Sequence, residues 1–186
     1  MRKNFEAKPW TYPQPVFILA SYDEKGAPDA MNAAWGGISG GTELTMCIGA
    51  RHKTTANILA RKGFTVSMAT AEQMVACDYV GIVSGNDTAD KMEKAGWHTT
   101  KAEHVDAPLI DELPMALECR LVSYDPENGH MVGQIVNISV DESVLDGEGK
   151  IDPEKLQPIT FDPVHNTYRK LGEVVGQAFQ DGAKLK

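Results

Sequence analysis

The chain predicts a mainly β fold: an antiparallel barrel, closed or split, with α-helices at its periphery. Three observations carry this expectation. Six or seven strand-like runs do not alternate regularly with helical ones, as a doubly wound parallel sheet would require. No G-x-G-x-x-G follows a strand, so the dinucleotide fingerprint is absent. Two long β runs, Ala116 to Tyr124 and His130 to Val140, flank the turn Asp125-Pro126-Glu127-Asn128-Gly129 and read as an antiparallel hairpin. Closing such a sheet removes its exposed edges.

The elements follow in order. Val16 to Tyr22 is a strand closed by Asp23-Glu24-Lys25-Gly26, whose glycine tolerates positive φ. A second strand runs from Ala30 through the tryptophan segment Asn32 to Ile38, and Leu44 to Gly49 is a third. Thr54 to Lys62 is helical, with Ile58 and Leu59 inward, Arg61 and Lys62 favouring the C-terminal dipole, and Gly63 as the stop. Phe64 to Met68 is a short central strand. Ala71 to Val83 and Thr88 to Lys94 read as helices, with Asp87 capping the second. The hairpin follows. In the tail, Ile159 to Phe161 extends, Tyr168 to Leu171 is irregular, and Val174 to Phe179 forms a closing helix.

At 186 residues the chain reads as one domain, residues 1–186, long enough to bury a core. The net charge of −8 argues against nucleic-acid or membrane-surface partners, which require a basic face. Cys47, Cys77 and Cys119 have no framework spacing, which suits a reducing compartment. Cys47 and Cys119 fall in strands as core residues, leaving Cys77 as the candidate reactive thiol. No run approaches the roughly 20 apolar residues that span a bilayer, and no signal peptide opens the chain, so the cytoplasm is expected.

Two segments carry chemistry. In Asn32-Ala33-Ala34-Trp35-Gly36-Gly37-Ile38, small residues let a flat ring approach the backbone beside an indole wall. The competing reading is a small-residue core strand filled by Trp35. In Arg51-His52-Lys53-Thr54-Thr55-Ala56-Asn57, two cations and two hydroxyls meet a helix start, which suits a phosphate. A solvated loop with a threonine cap is the alternative, and His52 reads as a loop residue. Together the segments suggest a phosphorylated planar cofactor, with FMN the first candidate. Cys77 to Gly85 reads first as an apolar helix face and second as a cofactor wall, and Lys91 as part of a charged helix. The histidines show no metal-ligand spacing, and no G-x-S-x-G elbow is present.

These motifs, with Asp78-Tyr79-x-Gly81-Ile82-Val83-Ser84-Gly85, Asp106-Ala107-Pro108, Leu117-Glu118-Cys119-Arg120 and the His130 strand, resemble the flavin reductase-like proteins of the flavoredoxin group. The resemblance runs from Tyr12 to about Leu171-Gly172. It implies a six-stranded antiparallel Greek-key split β-barrel of the FMN-binding type and a homodimer with FMN near the subunit interface. It implies that Asn32, Ala33, Ala34, Trp35 and Gly36 lie along the isoalloxazine. It implies that the turn with Arg51, Lys53, Thr54 and Thr55 holds the ribityl phosphate, with Asn57 counted beside it. Lys91, His130 and Phe161 would border the flavin, with Asp29 or Asn32. Ser67 stands where relatives often carry Asn, and the C-terminal motif matches loosely around Asn166 to Gly172. The implied activity is electron transfer from NAD(P)H through FMN to a flavin or redox-protein acceptor. A non-enzymatic FMN-binding protein, storing or sensing flavin, is the alternative. A split-barrel relative acting on pyridoxine phosphate would want a second basic cluster, and the chain shows one.

Overall fold

A computed structural model describes residues 1–186. In chain order the elements are β1 (Gln14–Pro15), β2 (Phe17–Tyr22), β3 (Pro28–Ala33), β4 (Gly36–Ile38), β5 (Glu43–Cys47), α1 (Lys53–Arg61) and β6 (Gly63–Met68). Then come α2 (Met74–Ile82), α3 (Lys91–Lys94), β7 (Thr99–Lys101), β8 (Pro108–Ile110), β9 (Met115–Asp125), β10 (His130–Val140), α4 (Pro153–Leu156), β11 (Ile159–Asp162) and β12 (Thr167–Lys170). No helix is long and apolar enough to cross a membrane.

The period of two along β2 explains the layering. Phe17 and Leu19 enter one apolar cluster, while Ile18 and Ala20 enter another. A strand buried on both faces is a central strand, and β2 pairs with β3 on one side and β6 on the other. The main sheet runs β3-β2-β6-β9-β10-β5-β4, antiparallel at every pairing. Its edge strands, β3 and β4, are consecutive in the chain with only Ala34 and Trp35 between them. Three Cα steps reach about 11 Å at most, so the two edges must curl round to each other. The result is a barrel split at one seam. The Cys47 N–H donates to the Trp35 carbonyl at 2.7 Å, and the Gln14 side-chain amide donates to the Ala34 carbonyl, so both seam residues are tied to neighbouring strands.

Inside the barrel, Leu19, Leu44, Met46, Phe64, Val66 and Met131 pack together, and Ile58 of α1 closes one end. Outside, α2 and the α3 region contribute Cys77, Val80, Met92 and Trp97 to a second core against Ile18, Ala20 and Ala30. A three-stranded sheet, β1-β11-β12, covers that layer, and β7 pairs with β8.

The mainly β, antiparallel split-barrel expectation holds. The main sheet has seven strands rather than six, because the tryptophan segment breaks into β3 and β4 at the seam. The long hairpin matches its expected span to within one residue at each end. Helix α2 begins at Met74 rather than Ala71, and α3 is only Lys91–Lys94, preceded by Asp90 rather than Asp87. Tyr168 to Leu171 is expected to be irregular, but a strand runs over Thr167–Lys170 because β11 offers it a free edge. The closing helix over Val174 to Phe179 does not form. That stretch is fully exposed, with Gly176 and two β-branched valines and nothing to bury a helical face against; only a 3-10 turn, Asp181–Leu185, follows.

Candidate functional site

A cavity of about 590 Å³ lies against the seam, within the size range of small-molecule sites. One wall is Asn32, Ala33, Ala34 and Trp35. The loop from β5 into α1 supplies Cys47 to Gly49 and His52 to Thr54, and the end of α2 with its following turn supplies Val80 to Gly85. Asp29, Met31 and Lys91 line the side reached from β3 and α3, while Phe161 and Tyr168 come from the β11–β12 sheet.

Close approaches between backbones fix this arrangement. A Cβ on Gly81 would lie 2.9 Å from the Asn32 Cβ, so α2 backs directly onto β3, and the Asn32 amide donates to the Cys77 carbonyl at 3.1 Å. A Cβ on Gly85 would lie 2.2 Å from Asp29 Oδ1, so only glycine lets that turn press on the carboxylate. The Asn86 amide donates to the Arg51 carbonyl at 3.1 Å and fastens the same turn to the α1 loop.

The start of α1 has no side-chain cap and no acid in its first turn. Neither threonine caps it. Thr54 donates to Asp29 Oδ2 at 2.6 Å, and Thr55 donates to the Gly49 carbonyl at 2.9 Å. The first-turn N–H groups of an uncapped helix are of the kind that can receive an anion, and Lys53, 3.5 Å from Asp23, stands beside them. Lys91 is buried. Its Nζ donates to the Ala30 carbonyl at 2.6 Å and lies 3.9 Å from Asp29 Oδ1. Burial pulls its pKa down and Asp29 opposes that pull. Tyr168 donates to Asp78 Oδ1 at 2.7 Å; burial, then the Asp78 bond, raises the phenol's pKa and keeps it a neutral donor.

Of the residues singled out from sequence, Asn32, Ala33, Ala34, Trp35, Lys53, Thr54, Lys91 and Phe161 converge on this cavity. Gly36, Arg51, Thr55, Asn57 and His130 fall outside its lining. Gly36 is required by β5 instead, since a Cβ there would lie 2.7 Å from the Thr45 carbonyl oxygen. Asn57 turns into the buried face of α1, and its Nδ2 finds no partner. His130 is exposed on β10, opposite Cys47 in register.

Asp29, which the resemblance also placed beside the flavin, lines the cavity as well, and Tyr168 is a lining residue that it did not name. Asp29 shares the inward parity of Met31 and Ala33, which marks a buried acid, whereas Tyr168 depends on a strand pairing with no local signature. The cysteines reverse their expected parts. Cys77 is buried, which pushes its thiol up to about 12, whereas Cys47 is exposed and lines the cavity.

The site therefore offers a small-residue wall with an indole, an uncapped helix start and a buried lysine in one cavity. The model of the flavin reductase like domain matches residues 10–161. Flavoredoxin of Desulfovibrio vulgaris (Miyazaki F) has a similar structure, with a TM-score of 0.93, 35% identity, and coverage of 98% of this chain and 100% of that one. Flavoredoxin from Methanosarcina acetivorans gives a TM-score of 0.86 and 25% identity, with both chains covered in full. An uncharacterized protein of Aquifex aeolicus (strain VF5) is 30% identical over 111 residues, spanning 57% of this chain and 55% of that relative.

Proposed function

Because the chain belongs to the flavin reductase-like domain family, we propose that its cavity holds FMN and that the protein passes electrons from NAD(P)H to a flavin or protein acceptor. One observation carries this reading: a wall for a flat ring and an uncapped helix start with Lys53 border the same cavity. FMN, when bound, supplies the two-electron chemistry. The chain's own residues bind and orient. Trp35 and Phe161 provide aromatic surface, the seam alanines admit a ring close to the backbone, and the α1 start with Lys53 receives the phosphate.

The exposed apolar side chains Trp35 and Ile82, both at the cavity, support a homodimer formed beside it. The three free thiols suit a reducing, cytoplasmic setting.

The deciding experiment is the visible spectrum of the purified protein, followed by anaerobic addition of NADH and then NADPH. A flavin band that bleaches with either nucleotide is expected and identifies the donor. A band that neither nucleotide bleaches would leave a flavin binder or a carrier reduced by a protein. No flavin uptake from added FMN would end the reading.

A further inference from the structure

Binding of ring and phosphate leaves one charged pair in the cavity without an assigned part. Asp29 and Lys91 are 2% and 4% exposed, so water screens neither. Both line the cavity, and their charged atoms are 3.9 Å apart. Neither side chain is free to swing away. Asp29 is held by the Thr54 hydroxyl at 2.6 Å and hemmed in by Gly85, while Lys91 is held by the Ala30 carbonyl at 2.6 Å. The further cation on this wall, Lys53, sits 3.5 Å from Asp23 and is the one assigned above to the phosphate.

Given FMN in this cavity, as proposed above, we infer that Asp29 masks the charge of Lys91 and thereby holds the reduction potential of the flavin below the value Lys91 alone would set. Two electrons and one proton leave a flavin ring one unit more negative than before. A fixed ammonium nearby favours that product and raises the potential. A fixed carboxylate beside the ammonium cancels most of its field, because the pair is seen as a short dipole from a ring several ångströms away. The site is then a stronger electron donor than its buried lysine suggests. Asp29 acts here through Lys91 and is a positioning residue.

The test compares wild type, Asp29→Asn, Lys91→Met and the double variant, each loaded with FMN. Midpoint potentials are read at pH 7 against a reference dye, with dithionite supplying electrons. Asparagine retains an acceptor for Thr54 and the clearance beside Gly85, so Asp29→Asn removes charge with little change of shape. Asp29→Asn is expected to raise the potential and Lys91→Met to lower it. Each shift should be about tenfold in the ratio of oxidised to reduced affinity, or ~30 mV for a two-electron couple. The double variant should fall near wild type, since opposite charge effects cancel whereas structural damage accumulates. Shifts of the same sign, or an unmoved potential in Asp29→Asn, would overturn the inference. If Lys91→Met does not fold, as judged by its melting curve, the sign of the Asp29→Asn shift decides alone. Wild type that takes up no FMN would remove the flavin reading itself and this inference with it, an outcome visible before any variant is made.

Discussion

Lys53 and Arg51 stand two positions apart, and the fold gives them different work. Lys53 lines the cavity, whereas Arg51 lies outside it and lends its carbonyl to Asn86. Lys53→Ala is therefore expected to weaken FMN about tenfold, the worth of one charge-assisted contact, and to leave riboflavin nearly unchanged. Arg51→Ala should change either by less than about threefold. Fluorescence titration with the two flavins checks both. The thiols provide a second residue-scale test. A thiol reagent should label Cys47 in the folded protein and leave buried Cys77 and Cys119 untouched, and added FMN should slow the labelling. A place in a strand suggests a core cysteine at 47, yet the pattern of that strand carries a signal against it. Leu44 and Met46 point inward, so a period of two already turns Cys47 outward. Arg51 carried no such signal, because its neighbour Lys53 has the same charge and only the path of the loop separates them.

At the scale of elements, the β11–β12 hairpin brings Phe161 and Tyr168 to the cavity, and Asp162 is its hub. The buried Asp162 carboxylate accepts from the Tyr12 hydroxyl, from His165 Nδ1 at 2.9 Å and from Arg169 Nε at 3.1 Å, and it also takes backbone N–H groups. These donors, the Tyr12 hydroxyl foremost, hold its pKa well below the usual carboxylate range. A depressed folded pKa contributes stability that is present above the unfolded value, about 3.9, and is lost as pH falls through the folded value. Thermal melts from pH 6 down to 2 should show the wild type losing stability at the acid end. Asp162→Asn should start lower at pH 6 and fall less steeply below about pH 4. This hairpin was half legible. Ile159 to Phe161 announces a strand by its apolar residues, but Thr-Tyr-Arg-Lys acquires extended form only from the edge it pairs with.

Over the whole molecule, the barrel is held by an interior with little room to spare. A Cβ on Gly133 would lie 2.5 Å from Phe64 Cζ, in the middle of the core. Gly133→Ala should cost about 1–3 kcal/mol, the usual range for overpacking, measured by urea unfolding with the native fold retained. The class of this architecture was readable because antiparallel hairpins have local signatures, whereas strand order does not. Nothing local in residues 28–38 says that β3 and β4 stand at opposite edges of one sheet. That placement also has a consequence for how such a molecule can vary. The ring of strands is completed through the covalent links of Ala34 and Trp35, with no ladder between β3 and β4. An insertion of a residue or two at that point would widen the opening beside the cavity while every strand pairing stayed in register. The breadth of ligands admitted can thus be retuned by length at this one point, where only the bonds from Cys47 and Gln14 to the two linking residues have to be remade.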